Sequence, residues 1–354
     1  MLLSRFAAPA AIAVVFGSFA TAQIVSPPVP ADARELASAG VQVAATPADR
    51  AAALALLERA KQNADMHIEG TPSFKLTVSF NAQGAVLYTG AGELTESWIS
   101  GRSWRWTANL ADYSQIRIGS NGMTYDAQPV GVVPIRVQML RGAIFAPIRL
   151  SNSGAMIRTA AAQLNSRPVT CILLSHMPAP ANQSPGRLWE ETEYCVDNAS
   201  GLLQVYSEAP GTYIVYGYGR NLQFHGRVIP DQISGYVGGA QVVAAQLSIE
   251  DLGSVDKADF TPTDEMRARG SAAPMITGMR FPLRATGGRS SNAVSPAIVH
   301  VTISPDGNVI EEELSAAAEP SLAQQALAFA KQSHYGNGSS QREAYINVRF
   351  FGAN

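Results

Sequence analysis

The chain is poor in cysteine: 354 residues contain two, Cys171 and Cys195, with no CxxC pair and no HExxH among the five scattered histidines. That excludes a zinc ribbon, a thioredoxin-type redox pair and a zincin centre. Charge is scarce too, at 15% Asp, Glu, Lys and Arg with a net charge of −2. Such a surface has no basic field for a phosphate backbone, so no nucleic acid partner is expected. A GxSxG nucleophile elbow is missing, and the segments Gly235 to Gly239 and Gly287-Gly288 lack the companions of a phosphate-binding loop. With no paired nucleophile and base, metal site or dinucleotide fingerprint, the chain reads as non-catalytic and without a cofactor. Two acidic runs, Glu190-Glu191 with Glu193 and Glu311-Glu312-Glu313, fit solvated strand edges better than an enclosed acid–base pair.

Long apolar runs are also few. One follows Arg5, from Phe6 to Phe19, and ends in Ala20-Thr21-Ala22, the small-x-small pattern read by signal peptidase. Residues 1–22 are therefore expected to be a signal peptide cleaved before Gln23, directing the chain to the periplasm; the alternative is an uncleaved inner-membrane anchor. In an oxidising compartment Cys171 and Cys195 are expected to form a disulfide, which would stabilise by about 3.5 kcal/mol on the chain-entropy model.

Residues 23–46, with Pro27, Pro28 and Pro30 among small side chains, read as a flexible lead. Leu54, Leu57 and Ala60 then follow helical spacing and predict a helix over residues 47–64. Phe74, Leu76, Val78 and Phe80 alternate with polar residues, the pattern of a half-buried strand. Further strands are expected across residues 86–128. Short helices are expected between residues 133 and 164, from the spacing of Val137, Leu140 and Ile144 and then of Met156, Ala160 and Leu164. Strands resume from residue 169 to residue 252. Residues 254–275, with Pro262, Gly270 and Pro274 and no periodicity, read as a linker. The last part, residues 276–354, has the order strand, strand, helix, strand, turning at Pro305-Asp306-Gly307.

Phe281-Pro282, the segment Ile298 to Val309 with its Asp306-Gly307 turn, Leu322 to Ala330, Tyr335 and Ile346 to Phe350 together resemble the TonB C-terminal domain. The resemblance implies strand addition at an edge, here residues 345–351, to an outer-membrane transporter or another envelope protein. Phe281, Pro282, Tyr345, Asn347, Arg349 and Phe351 would then meet the partner. The sequence departs from that family in having Phe281-Pro282 in place of tyrosine-proline, and in lacking a long proline-rich spacer.

Residues 47–253 more faintly resemble the LolA/LolB lipoprotein carriers, through Gly92-Glu93-Leu94 to Trp98, Ser103-Trp104-Arg105-Trp106, Tyr194-Cys195-Val196-Asp197 and Gly201-Leu202-Leu203. The expected fold class is thus α+β: a curved antiparallel β-sheet half-barrel with helices, followed by a small ββαβ domain. Trp104 and Trp106 share one strand face and Trp98 lies on the preceding strand, while Tyr216 and Tyr218 share a face further on. These five aromatics are either core or the lining of a cavity for a lipid or acyl group. The functional expectation is a periplasmic binding or adaptor protein. The alternative is an interaction-only envelope protein that couples to a transporter and carries no ligand.

Overall fold

A computed structural model of the chain describes residues 41–128, 133–149, 156–175, 187, 191–209, 211–272, 294–317 and 320–351. The first helix, α1 (Pro47–Ala64), starts where its sequence says it should. Thr46 Oγ1 accepts from the Asp49 N–H, the Asp49 carboxylate accepts from the Thr46 N–H, and Pro47 occupies the first turn. Such a capping box is worth about 1 kcal/mol. Ala53, Leu57 and Ala60 bury the inner stripe of the helix.

Fifteen strands follow or flank it: β1 (Gln42–Val43), β2 (Phe74–Ala82), β3 (Gly90–Ser100), β4 (Ser103–Leu110), β5 (Tyr113–Ser120), β6 (Met123–Asp126), β7 (Met156–Leu164), β8 (Arg167–Ser175), β9 (Thr192–Asp197), β10 (Leu203–Ala209), β11 (Thr212–Gly217), β12 (Gln223–Phe224), β13 (Arg227–Val228), β14 (Gln232–Val237) and β15 (Ala240–Asp251). Thirteen of them form one antiparallel sheet in the order β1-β7-β8-β9-β10-β11-β14-β15-β2-β3-β4-β5-β6. The α+β class stands, but the expected half-barrel does not. The strands make a single open sheet that is not curled into a barrel, with β1 and β6 at its two edges. Alternation tells which face of a strand is buried; curvature depends on how twist and bulges accumulate across many strands, which no single strand encodes.

A second correction concerns Met156–Leu164. Its alanine-rich spacing predicts a helix, yet it is strand β7, paired over nine residues with β8 and at one end with β1. Pairing on both sides outweighs a weak local preference for helix. The helix expected around Val137 does form, as α2 (Ile135–Phe145), and nearly all of its residues are buried, Arg136 and Arg141 among them. It lies against the face of the sheet carrying Phe74, Leu76 and Val78, whose alternate residues Lys75 and Ser79 are exposed.

Cys171 and Cys195 stand directly opposite each other on β8 and β9 and are joined by the expected disulfide. Beside it, Glu191 and Glu193 overturn the expectation of a solvated edge, because both are fully buried. Arg158 holds Glu191 through two bonds of 2.7 Å, and Arg187 donates to Glu193 at 3.2 Å and to Ser207 Oγ at 2.6 Å. The partner arginines come from another strand and from the stretch before β9, so nothing in the acidic run itself announces them.

Residues 254–272, read as part of a linker, carry a one-turn 3-10 helix (Lys257–Phe260) and α3 (Asp264–Arg269), each capped by a side chain, with Phe260 and Met266 buried. Arg269 donates to the Asp126 carbonyl at 3.0 Å, and the Ala272 N–H to the Thr124 carbonyl at 2.7 Å, which fixes this segment to β6.

The terminal unit comprises β16 (Val294–Ile303), β17 (Val309–Ala317), α4 (Ala323–Gln332) and β18 (Arg342–Phe351), with sheet order β17-β16-β18. One face packs Val299, Val301 and Ile303 against Ala326 and Ala330 of α4. The opposite face, with His300, Glu313 and Tyr345 in one row, meets the first unit, where Thr212 Oγ1 donates to the Ser315 carbonyl at 3.1 Å. Among the described residues no helix is long and apolar enough to cross a membrane. The expected signal peptide lies outside them.

Candidate functional site

Strand register builds the site. Across β2 to β6 one transverse row runs Phe74, Trp98, Trp104, Gly119 and Thr124, and the next runs Leu76, Glu96, Trp106, Arg117 and Asp126. Two apolar residues at the β2 end of the face thus give way to aromatic and charged ones towards β6. Gly119 is required where it stands: a Cβ there would come within 2.0 Å of Trp104 Nε1, so the indole lies directly over the glycine backbone.

His67, just beyond α1, enters from above, with its backbone N–H held by the Asp65 carboxylate at 3.0 Å. Its ring is sandwiched between Trp98 at 4.1 Å and Phe145 at 4.4 Å, nearly parallel to both. Arg141, one turn before Phe145 on α2, sets its guanidinium 5.0 Å from the Phe145 ring and 5.1 Å from that of Trp106. Trp98, His67, Phe145, Arg141 and Trp106 therefore form a continuous run of face contacts, in which a cation over an aromatic face contributes about 1–2 kcal/mol.

The charges in this region are paired. Glu96, fully buried, lies 2.7 Å from His67 Nε2 and accepts from Arg141 Nη1 at 3.0 Å. Burial raises its pKa, but the Arg141 charge and the His67 contact outweigh burial and hold the carboxyl below its ordinary range. Arg117 grips Asp126 through Nε at 2.6 Å and Nη2 at 3.0 Å, and Asp126 also accepts from Gln115 at 3.0 Å. Between these pairs and the two outer tryptophans lies a cleft of about 270 Å³, lined by His67, Glu96, Trp98, Trp104, Arg117 and Arg141 together with Gly101 and Thr124. An ionised carboxylate already held by two partners is a poor proton donor, so the arrangement suits binding rather than acid–base chemistry.

Of the residues singled out by sequence, Trp98 and Trp104 line this cleft, and Trp106 lies behind it, fully buried beneath Arg141. Tyr216 and Tyr218 lie elsewhere, at the end of β11. The Tyr216 hydroxyl donates to the Ala143 carbonyl of α2 at 3.0 Å, and that of Tyr218 to the Leu203 carbonyl at 2.7 Å. Both border a void of only about 10 Å³ beneath α2, and a neighbouring void beside Met139 holds about 20 Å³. Neither exceeds the space of a water or two.

Tyr345 packs against the first unit's core, its ring 5.3 Å from that of His300, so its side chain sits between the two units. Asn347, Arg349 and Phe351 lie on β18 opposite Ile298, Pro296 and Val294. Among the described residues β18 pairs with β16 alone, which leaves its other edge open. Phe281 and Pro282 fall outside the described residues. Sequence reasoning missed His67, Glu96, Arg117 and Arg141. The available signal was Glu96 in phase with Leu94 and Trp98, an acid at an inward position of an alternating strand.

No family model and no curated protein matches the chain, so the expected TonB-type character of residues 276–354 finds no support there. Among solved structures, a LolA superfamily protein of Nitrosomonas europaea is 13% identical, covering 59% of this chain and 97% of its own, with a TM-score of 0.37. A domain proposed as an outer membrane lipoprotein-sorting protein, from Vibrio parahaemolyticus, is 11% identical over the same shares with a TM-score of 0.35. The MucA/MucB complex of Pseudomonas aeruginosa is 13% identical, covering 73% of this chain and 82% of that one, with a TM-score of 0.25. The chain is distantly similar to LolA-type proteins, and scores this low define neither its fold nor its ligand.

Proposed function

We propose that the chain is a non-catalytic periplasmic binding and adaptor protein, with an apolar or acyl-bearing ligand in the first unit and a protein partner at the second. The observation that carries the first half is the contrast in free space. The interior beneath α2 keeps voids of about 10 and 20 Å³, whereas the cleft at Trp98 and Trp104 holds about 270 Å³. That volume sits near the lower end of small-molecule sites, at roughly 300 Å³ and above. That contrast favours a ligand lying against the two tryptophans over one beneath the helix beside Tyr216 and Tyr218. Support for the second half is β18, which among the described residues pairs on one side alone and so presents main-chain groups with which an added strand can pair.

Native mass spectrometry of the protein from a periplasmic fraction, followed by denaturation and extraction, tests the ligand half. A stoichiometric acyl-bearing species, lost in Trp104→Ala, is the expected result. A bare mass in both proteins, with no change of tryptophan emission on adding amphiphiles, would sink it in favour of an interaction-only protein.

A further inference from the structure

We propose that the terminal unit docks on the first unit with uptake of a proton, and that it swings away, still folded, as the pH rises past neutrality. Neither the ligand of the cleft nor the partner of β18 enters into this.

The terminal unit is a structural unit of its own. Its three strands form a separate sheet, in the order β17-β16-β18, and share no ladder with the thirteen-stranded one. Its own core packs Ala297, Val299, Val301 and Ile303 with Ala326, Ala330 and Val348. It meets the first unit through the opposite sheet face, where Ile298 joins the first unit's core and Arg136 and Thr212 bond to Glu313 and to the Ser315 carbonyl.

That buried face is rich in carboxyl groups. β17 brings Glu311 and Glu313 to it, β16 brings His300, and β18 brings Glu343 and Tyr345. Facing them from the first unit are Arg136 on α2, Tyr88 with Asp112 near it, and Glu208 on β10 beyond Tyr345. Arg136 is the cation that acts on both Glu343 and Tyr345, and its Nη2 is committed to Glu313. Glu343 Oε1 lies 3.6 Å from His300 Nε2, and both atoms are buried and, among the described residues, without a hydrogen bond. One oxygen of Glu311, the carboxyl that adds its charge to this spot, is in the same condition. A carboxyl group so placed is buried far more cheaply as the acid than as the ion.

Burial pushes His300 down to about 3 and Glu343 up to about 8, so docked they hold one proton between them over that whole range. The count is the same for acid beside imidazole and for carboxylate beside imidazolium. Once the units part and water reaches both groups, they return to 6.5 and 4.5, and above pH 6.5 neither holds a proton. Docking therefore takes up one proton between pH 6.5 and 8, and its equilibrium weakens about tenfold for each pH unit over that range. Between 4.5 and 6.5 the separated His300 carries the proton instead, and the pair contributes no dependence.

Thiol labelling of the full chain reads such openings even when they are rare. Ser315→Cys places a thiol in the junction, Ala330→Cys in the terminal unit's own core and Ala108→Cys in the first unit's core, all three at buried positions. Rates are taken relative to the same unfolded chains, which removes the ionisation of the thiol. Labelling at Ser315→Cys is expected to rise about tenfold per pH unit from 6.5 to 8, with no matching rise at the other two. Adding Glu343→Gln, which imitates the acid, should abolish the rise, and adding His300→Gln should extend it down towards pH 4.5. Thr212→Cys, across the junction and also buried, serves if Ser315→Cys does not fold. No rise at the junction, an equal rise at Ala330→Cys or Ala108→Cys, or a rise that survives Glu343→Gln would each overturn the proposal.

Discussion

The Arg136 guanidinium, on the first turn of α2, donates through Nη2 to the Glu313 carboxylate on β17, while its Nε donates to the Gln83 carbonyl at 3.0 Å. One side chain thus ties the buried helix, the large sheet and the terminal unit together. Arg136 is fully buried and Glu313 nearly so, which makes the pair costly to break from one side. Arg136→Ala is expected to destabilise the protein by about 3–5 kcal/mol, measured by urea denaturation, and to raise protease cleavage between the units. Replacing Arg136 with Met and Glu313 with Leu together should recover much of that loss.

Stability should depend on pH in two opposing ways at this junction. Burial pushes Glu343 up to about 8 against the pull of Arg136, with Glu311 adding to the rise. The stability linked to Glu343 is complete below its unfolded value near 4.5 and is lost as pH climbs towards 8. Glu208, raised to about 7 mainly by burial, acts in the same direction. Burial, aided by Arg136, lowers His300 to about 3, so its contribution is complete above 6.5 and is lost as pH falls towards 3. His300 Nε2 and Glu343 Oε1 are 3.6 Å apart, and Glu311, Glu313 and Tyr345 share their sheet face. The urea midpoint should be highest near pH 4.5, falling below it as His300 takes up a proton and falling above it because the losses at Glu343 and Glu208 together exceed the gain at His300. Glu343→Gln should flatten the alkaline side and leave the acid side.

Gly119→Val tests the platform beneath Trp104. The added Cβ must displace the indole, since it would stand 2.0 Å from Nε1. Overpacking of this kind costs about 1–3 kcal/mol. The expected result is a lower melting temperature together with loss of the tryptophan emission response to amphiphiles.

Tyr216→Phe separates the helix-covered interior from the cleft. Losing the bond to Ala143 strands a buried carbonyl and should cost about 1–3 kcal/mol in thermal or urea denaturation. Ligand affinity should stay unchanged. A tenfold loss would place the ligand under α2 after all.

Reducing the Cys171–Cys195 bridge should lower stability by about 3.5 kcal/mol, given a sequence separation of 24. The comparison of Cys171→Ala/Cys195→Ala with the parent, by urea denaturation, checks this value.

Local pattern was enough for α1, for the alternating strands and for the disulfide. A cap, a run of every-other apolar residues or a pair of cysteines in an oxidising compartment each satisfies its own physics over short range. Thus Thr46, Pro47 and Asp49 mark where α1 begins, and Phe74, Leu76 and Val78 reveal the inward face of β2. The two outer tryptophans of the site were visible for the same reason.

Tertiary structure decided the rest. Whether Met156–Leu164 is helix or strand depends on β1 and β8 lying beside it, and whether the sheet closes depends on twist summed over thirteen strands. Glu191 looks solvated until Arg158 arrives from β7, and Glu193 until Arg187, six residues earlier, folds back onto it. Glu96, Arg141 and His67 become one cluster only because α2 and the end of α1 come down on the same two rows of the sheet. A charge can be buried only beside its partner, and partners brought from distant parts of the chain leave no spacing in the sequence for their encounter to be read from.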